Sequence, residues 1–312
     1  MITCDAHCDA LWLRAFRPEE PRCVTLENLE KGGVSLQTLA LFSGSREEAR
    51  FPFRTAMKEM EVFRTLRDRE GWHQVLNPLE ARDGRTGVML SIEGGEILEG
   101  SIERLRDFYE MGVRMVGMTW NRASEFGYPA SGQTDKGIKP QAWPLLHEMA
   151  RLNLPVDTSH LNEAGFWDLI ERHEQPCMAS HSCARALCDH FRNLTDQQIR
   201  AIVRRGGWIG VNFYSCFLSP DGRADVDTVC QHIDHMCQLG AQANVGLGSD
   251  FDGIDIWPVG LASPADIPAI ADRLRKRGYS ETAIAGIFGE NFLDYYRRLG
   301  WKNEDTAEAV QQ

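Results

Sequence analysis

The 312-residue chain carries 45 acidic against 34 basic residues, a net charge of -11, and no Lys/Arg-rich block. That balance argues against nucleic acid as a partner, because phosphate binding needs clustered positive charge. An apolar share of 43% is enough for a full core, and the length suits one α/β barrel of about 250 residues plus additions. Nine cysteines, an odd count without C-x-x-C spacing, read as reduced thiols of a cytoplasmic protein. No basic leader with an apolar run stands at the N-terminus, and no stretch approaches the ~18 apolar residues of a membrane span.

Ile2-Thr3-Cys4 opens a first strand that runs into Asp5-Ala6-His7-Cys8-Asp9. Residues 11–24 mix Trp, Arg, Pro and Glu without a period and read as a loop. After Gly32-Gly33, residues 34–41 alternate as a second strand, and residues 51–72 place Met57, Met60, Val62, Phe63 and Leu66 at helical spacing. Residues 88–92 form a third strand ending at Glu93 and a pair of glycines; residues 102–111 form a helix closed by Gly112. A fourth strand, 113–119, ends in Trp120-Asn121, and a polar loop leads to Gly137 and a helix over 140–152.

Residues 154–158 form a short strand ending in Ser159-His160, followed by a helix over 162–173; residues 176–179 form another, ending in Ser180-His181. Thr195 can cap a helix to Arg205, and residues 208–211 are a seventh strand ending in Asn212-Phe213-Tyr214. A helix over 225–239 precedes the eighth strand, 244–248, which ends at Ser249-Asp250; further helices follow to about Leu299. Strands alternating with helices imply parallel βα units, and eight of them imply a single-domain (β/α)₈ TIM barrel over residues 1–300. Residues 301–312 read as a loose tail.

In such a barrel His7 and Asp9, Glu93, His160, His181 and Asp250 all rise into one mouth at the strands' C-terminal ends. Each alone is read more readily as a capping or hydrogen-bonded group. Six at the same end of five strands are hard to explain by packing, and three imidazoles with three carboxylates suit a pair of divalent ions such as zinc. Glu93 is placed to bridge the two ions. Asp250 is placed to move the proton of a metal-activated water in hydrolysis of an amide. The remaining histidines lack this context: His73, His147 and His173 read as surface residues, His232 and His235 as hydrogen-bonding groups outside the barrel, and His190 is undecided.

The chain resembles the renal (membrane) dipeptidase family of the amidohydrolase superfamily. The resemblance rests on Asp5-Ala6-His7-Cys8-Asp9, Ser91-Ile92-Glu93-Gly94-Gly95, Asp157-Thr158-Ser159-His160, Ser180-His181-Ser182-Cys183-Ala184-Arg185, Arg192-Asn193, residues 210–214 and residues 246–253. It implies a binuclear zinc dipeptidase in which His7 and Asp9 bind one ion, His160 and His181 the other, and Glu93 bridges. By the same resemblance Asp250 is the acid/base, Arg192 receives the substrate's C-terminal carboxylate, and Tyr214 lines the pocket. The chain departs from the family at Trp120, where other members carry a substrate-contacting histidine, so substrate choice is where it is expected to differ. The expected substrates are dipeptides, L,D-dipeptides among them. The alternatives are another amide, such as an N-acyl amino acid or a lactam, and a non-catalytic metal-loaded binding protein. A cytoplasmic homodimer without membrane contact is the expected setting.

Overall fold

The computed structural model describes residues 1–303 apart from Arg46 and Gln133; residues 304–312 of the expected tail lie outside the described residues. Eight parallel strands close into one barrel in sequence order. They are β1 (Cys4–Asp5), β2 (Leu36–Phe42), β3 (Gly87–Glu93), β4 (Val113–Gly117), β5 (Val156–Asp157), β6 (Met178–Ala179), β7 (Trp208–Val211) and β8 (Val245–Leu247). Closure rests on Asp5 pairing with Leu247 across the β1/β8 seam. All residues of the strands are buried, as expected where helices cover one face and packed side chains fill the other.

The outer helices start where side chains can satisfy their free N–H groups. Asn162 caps the helix Glu163–Arg172 by accepting from the Gly165 N–H at 3.0 Å. Thr195 and Gln198 form a reciprocal capping box on Asp196–Arg204. One expectation fails early: residues 11–24 are not all loop, because Ala10–Phe16 is helical. Its inward residues Leu11, Leu13 and Ala15 alternate along the chain, which hides the helical period. This helix turns the chain directly after Asp9 and brings Trp12 to the barrel mouth.

The lumen has a floor and a mouth. The floor is apolar: Cys4, Leu36, Met89, Met115, Met178 and Trp208 pack against Phe292, Leu293, Tyr295 and Tyr296 of the last helix, Asn291–Arg298. The tyrosine hydroxyls donate to backbone carbonyls of Pro176 and Arg114 at 2.8 and 3.0 Å. The C-terminal helix therefore plugs the end opposite the site. No helix among the described residues is long and apolar enough to cross a membrane, and all nine cysteines are unpaired.

His73 and His147 are exposed, but His173 is not on the surface as expected: it is 3% exposed. It ends the helix Glu163–Arg172 under Arg205, which donates to its carbonyl. His232 is also buried; it accepts from the Ala184 N–H at 3.0 Å and faces the Leu218 carbonyl at 2.9 Å, while His235 meets Asp196 at 2.8 Å. Burial lowers both His173 and His232 to about 4, against about 6.5 for an unfolded imidazole. Between those values the unfolded chain binds more protons, so stability falls as the pH drops through this window. Each ring is expected to cost about 2 kcal/mol at pH 5 relative to pH 7. Urea midpoints at the two pH values check this, and His173→Gln should flatten the decline.

Candidate active site

At the mouth, strand geometry sets the side chains. Glu93 is the last residue of β3, and Gly94, at φ +101°, turns the chain away at once, a conformation that side chains beyond glycine rarely adopt. His7 and Asp9 lie just past β1, where Cys8 still bridges to Phe251. His160, His181 and Asp250 follow β5, β6 and β8, each directly behind a serine. Asp250 itself sits at φ +65°, a left-handed conformation that Asp tolerates better than most residues. Glycines make the narrow lumen possible: a Cβ on Gly210 or Gly248 would fall 2.1 or 1.8 Å from the Ser180 carbonyl oxygen.

The six expected site residues converge. Glu93 Oε1 lies 3.0 Å from His160 Nε2 and 3.7 Å from His181 Nε2, while Oε2 lies 3.5 Å from His7 Nε2. His7 Nε2 is 3.6 Å from both Asp9 Oδ2 and Asp250 Oδ1. His7, Glu93 and His181 form one group able to hold a metal ion, and His7, Asp9 and Asp250 another. Glu93 Oε1 faces His160 and His181 and its Oε2 faces His7; His160 belongs to neither of the two groups.

A further layer, missed in the sequence, fixes these groups. Asn121 Oδ1 accepts from His160 Nδ1 at 3.1 Å. Ser180 Oγ gives its proton to Asp157 Oδ2 at 2.5 Å and accepts from His181 Nδ1 at 2.7 Å. Asp5 does for Ser249 what Asp157 does for Ser180: its two oxygens accept the Ser249 N–H at 2.8 Å and hydroxyl at 2.5 Å. Asn212 Nδ2 donates to Asp250 Oδ2 at 2.8 Å. The signal available in the sequence was the repeated serine before His160, His181 and Asp250.

These bonds decide protonation. With their Nδ1 atoms on Asn121 and Ser180, His160 and His181 turn their Nε2 atoms inward, 3.1 Å from each other. Two imidazole nitrogens gathered on a carboxylate in this way are a donor set that a cation can occupy. Burial holds both rings well below their ordinary range. The carboxylates tell the same story: burial and the charge of Asp9 push Glu93 up to about 8. Burial raises Asp250 to about 6, against the pull of His7 and with the push of Asp9. His7 Nε2 and Asp9 Oδ1 are buried without a hydrogen-bond partner. The donor set and its surplus of negative charge fit divalent cations.

Around the cluster a cavity of about 540 Å³ is lined by Trp12, Phe42 and Trp120, by Arg192, Tyr214 and Phe217, and at its rim by Arg17, Glu20 and Asp255. Arg192 is 4% exposed, and two of its donors, Nε and Nη1, have no partner; Nη2 donates to the His181 carbonyl at 3.3 Å. His190, undecided from sequence, accepts from the Arg192 N–H at 3.2 Å and packs on Phe217.

The fold and the sequence have counterparts. A metallo peptidase from Rhodobacter sphaeroides, solved with a phosphinate mimic of the dipeptide L-Ala-D-Ala, superposes with a TM-score of 0.88 at 26% identity, covering 96% of this chain and 99% of that one. An uncharacterized protein of Klebsiella pneumoniae is 40% identical over 216 residues, 66% of this chain and 79% of its own. An uncharacterized dipeptidase of Schizosaccharomyces pombe is 36% identical over 228 residues, 72% of this chain. The chain spans only 55% of that yeast relative's length. The family model for membrane dipeptidases, peptidase family M19, matches residues 1–309, and the chain belongs to that family.

Proposed function

We propose that the chain is a binuclear zinc dipeptidase whose substrates include L,D-dipeptides. His7 and Asp9 would hold one ion and His160 and His181 the other, with Glu93 shared between them. The observation that carries this is the pair of inward-turned Nε2 atoms of His160 and His181 at 3.1 Å, set against Glu93. Two divalent cations bound there supply polarisation of the scissile carbonyl and acidification of a water.

The side chains do the rest. Asp250, held by Asn212, takes the proton of the attacking water and delivers it to the leaving amine. Arg192 meets the free carboxylate with the donors it has left over, and a guanidinium fork suits a carboxylate geometrically. Tyr214 and Trp120 close the sides of the mouth. Nine unpaired cysteines support a reducing, cytoplasmic setting.

The test is turnover of a panel of L,L- and L,D-dipeptides by protein verified to hold two zinc ions per chain. Hydrolysis of dipeptides is expected. No turnover of any member by such a sample would overturn the reading, and faster cleavage of an N-acyl amino acid or a lactam would transfer it to those amides.

A further inference from the structure

We infer that the mouth selects dipeptides whose amine-terminal residue carries a bulky apolar or aromatic side chain, and that Trp120, with Phe42 and Trp12, is the surface that selects it. This rests on the dipeptidase reading and on Arg192 receiving the carboxylate.

Three rings from different parts of the chain form one wall. Trp120, after β4, meets Phe42, the last residue of β2, edge to face at 4.8 Å and 71°. Phe42 meets Trp12 in the same way at 5.7 Å and 72°. Arg17 lies over Trp12 at 5.1 Å and closes the far end of the wall. Trp120 also stands 6.3 Å from the His160 ring, so the wall begins beside the reacting centre. A chain of edge-to-face contacts fixes each ring; Phe42 is buried between the two indoles, and Trp12 and Trp120 stay half-buried at the mouth.

The direction of the substrate follows from the two sides of the mouth. Arg192, Tyr214 and Phe217 come from the segments after β6 and β7, whereas Trp12, Phe42 and Trp120 come from those after β1, β2 and β4. With the carboxylate on Arg192 and the carbonyl over Glu93, the residue on the acyl side projects away from Arg192 and onto the wall. A glycine or alanine there leaves the half-buried faces of Trp12 and Trp120 wet, and a charged side chain loses water against the rings, with Arg17 as the cation at the far end of the wall. A leucine or phenylalanine covers them and gains the burial of its own apolar surface.

The experiment measures kcat/KM of the zinc-loaded enzyme for X-Ala dipeptides with X as Gly, Ala, Asp, Leu and Phe, and repeats it for Trp120→Ala and Trp120→Phe. Leu-Ala and Phe-Ala are expected to exceed Gly-Ala and Asp-Ala by at least about tenfold, the discrimination a few methylenes provide in an apolar site. Trp120→Ala should bring the Leu-Ala to Gly-Ala ratio down to within about threefold, and Trp120→Phe should keep most of it. Ratios within one variant cancel any change in metal loading or folded fraction. A flat profile, a preference for small or acidic X, or an unchanged ratio in Trp120→Ala overturns the inference and leaves the dipeptidase reading standing. No turnover of any dipeptide overturns both.

Discussion

Asp250→Asn is expected to lower kcat for dipeptides by on the order of 10³, within the range that a positioned acid/base contributes, while the protein keeps its metal. The reason lies in the hydrogen bond from Asn212 Nδ2 to Asp250 Oδ2 at 2.8 Å. A substituted amide can satisfy that donor only by turning its own oxygen toward Asn212. Its NH₂ group then points toward His7, where a proton acceptor is required, and cannot take a proton. The five other candidate ligands are untouched, so metal analysis of the purified variant should match wild type. Activity within about tenfold of wild type in a fully loaded variant would remove Asp250 from the proton path.

The second large effect is expected at Arg192. Arg192→Lys keeps the charge but loses the fork, and with it about two charge-assisted hydrogen bonds worth ~3 kcal/mol together. The expected result is a fall of about 10² in kcat/KM for dipeptides, carried mainly by KM. Dipeptide amides, which have no carboxylate to lose, should be affected far less, so that the enzyme's preference for the free acid narrows. Steady-state kinetics on matched acid and amide pairs reads this directly. An equal loss on both would mean that Arg192 supports the His181 backbone, to which its Nη2 already donates, and does not receive the substrate.

Much of this site could be read from sequence because metal chemistry needs residue types that packing does not. His160, His181 and Glu93 stand where short apolar runs stop, and a barrel gives those positions one shared destination. The supporting layer was harder to see. Asp5 and Asp157 look like ordinary polar residues beside the histidines, and their work is done across a strand boundary, on Ser249 and Ser180, at sequence separations of 244 and 23. Asn212 and Asn121 act the same way on Asp250 and His160. A helix end is usually exposed, and the packing of Arg205 over His173 is a tertiary fact with no local signal. The helix Ala10–Phe16 hid because both of its sides are partly covered, so its burial alternates instead of following a 3.6 period.

The clamp of Asp5 on Ser249 also constrains how the protein is made. The first strand waits for its last neighbour, since Asp5 is the residue that pairs with Leu247 and holds the serine before Asp250. During synthesis at ~5–20 residues per second, His7 and Asp9 leave the ribosome many seconds before β8 exists to seat them. Until then the edges of β1 and of the growing sheet stay open, which is when strand edges are most prone to wrong pairing. The candidate site therefore cannot be completed before β8 is made, and a chain interrupted before residue 249 would contain five of the candidate ligands without a closed wall to hold them together.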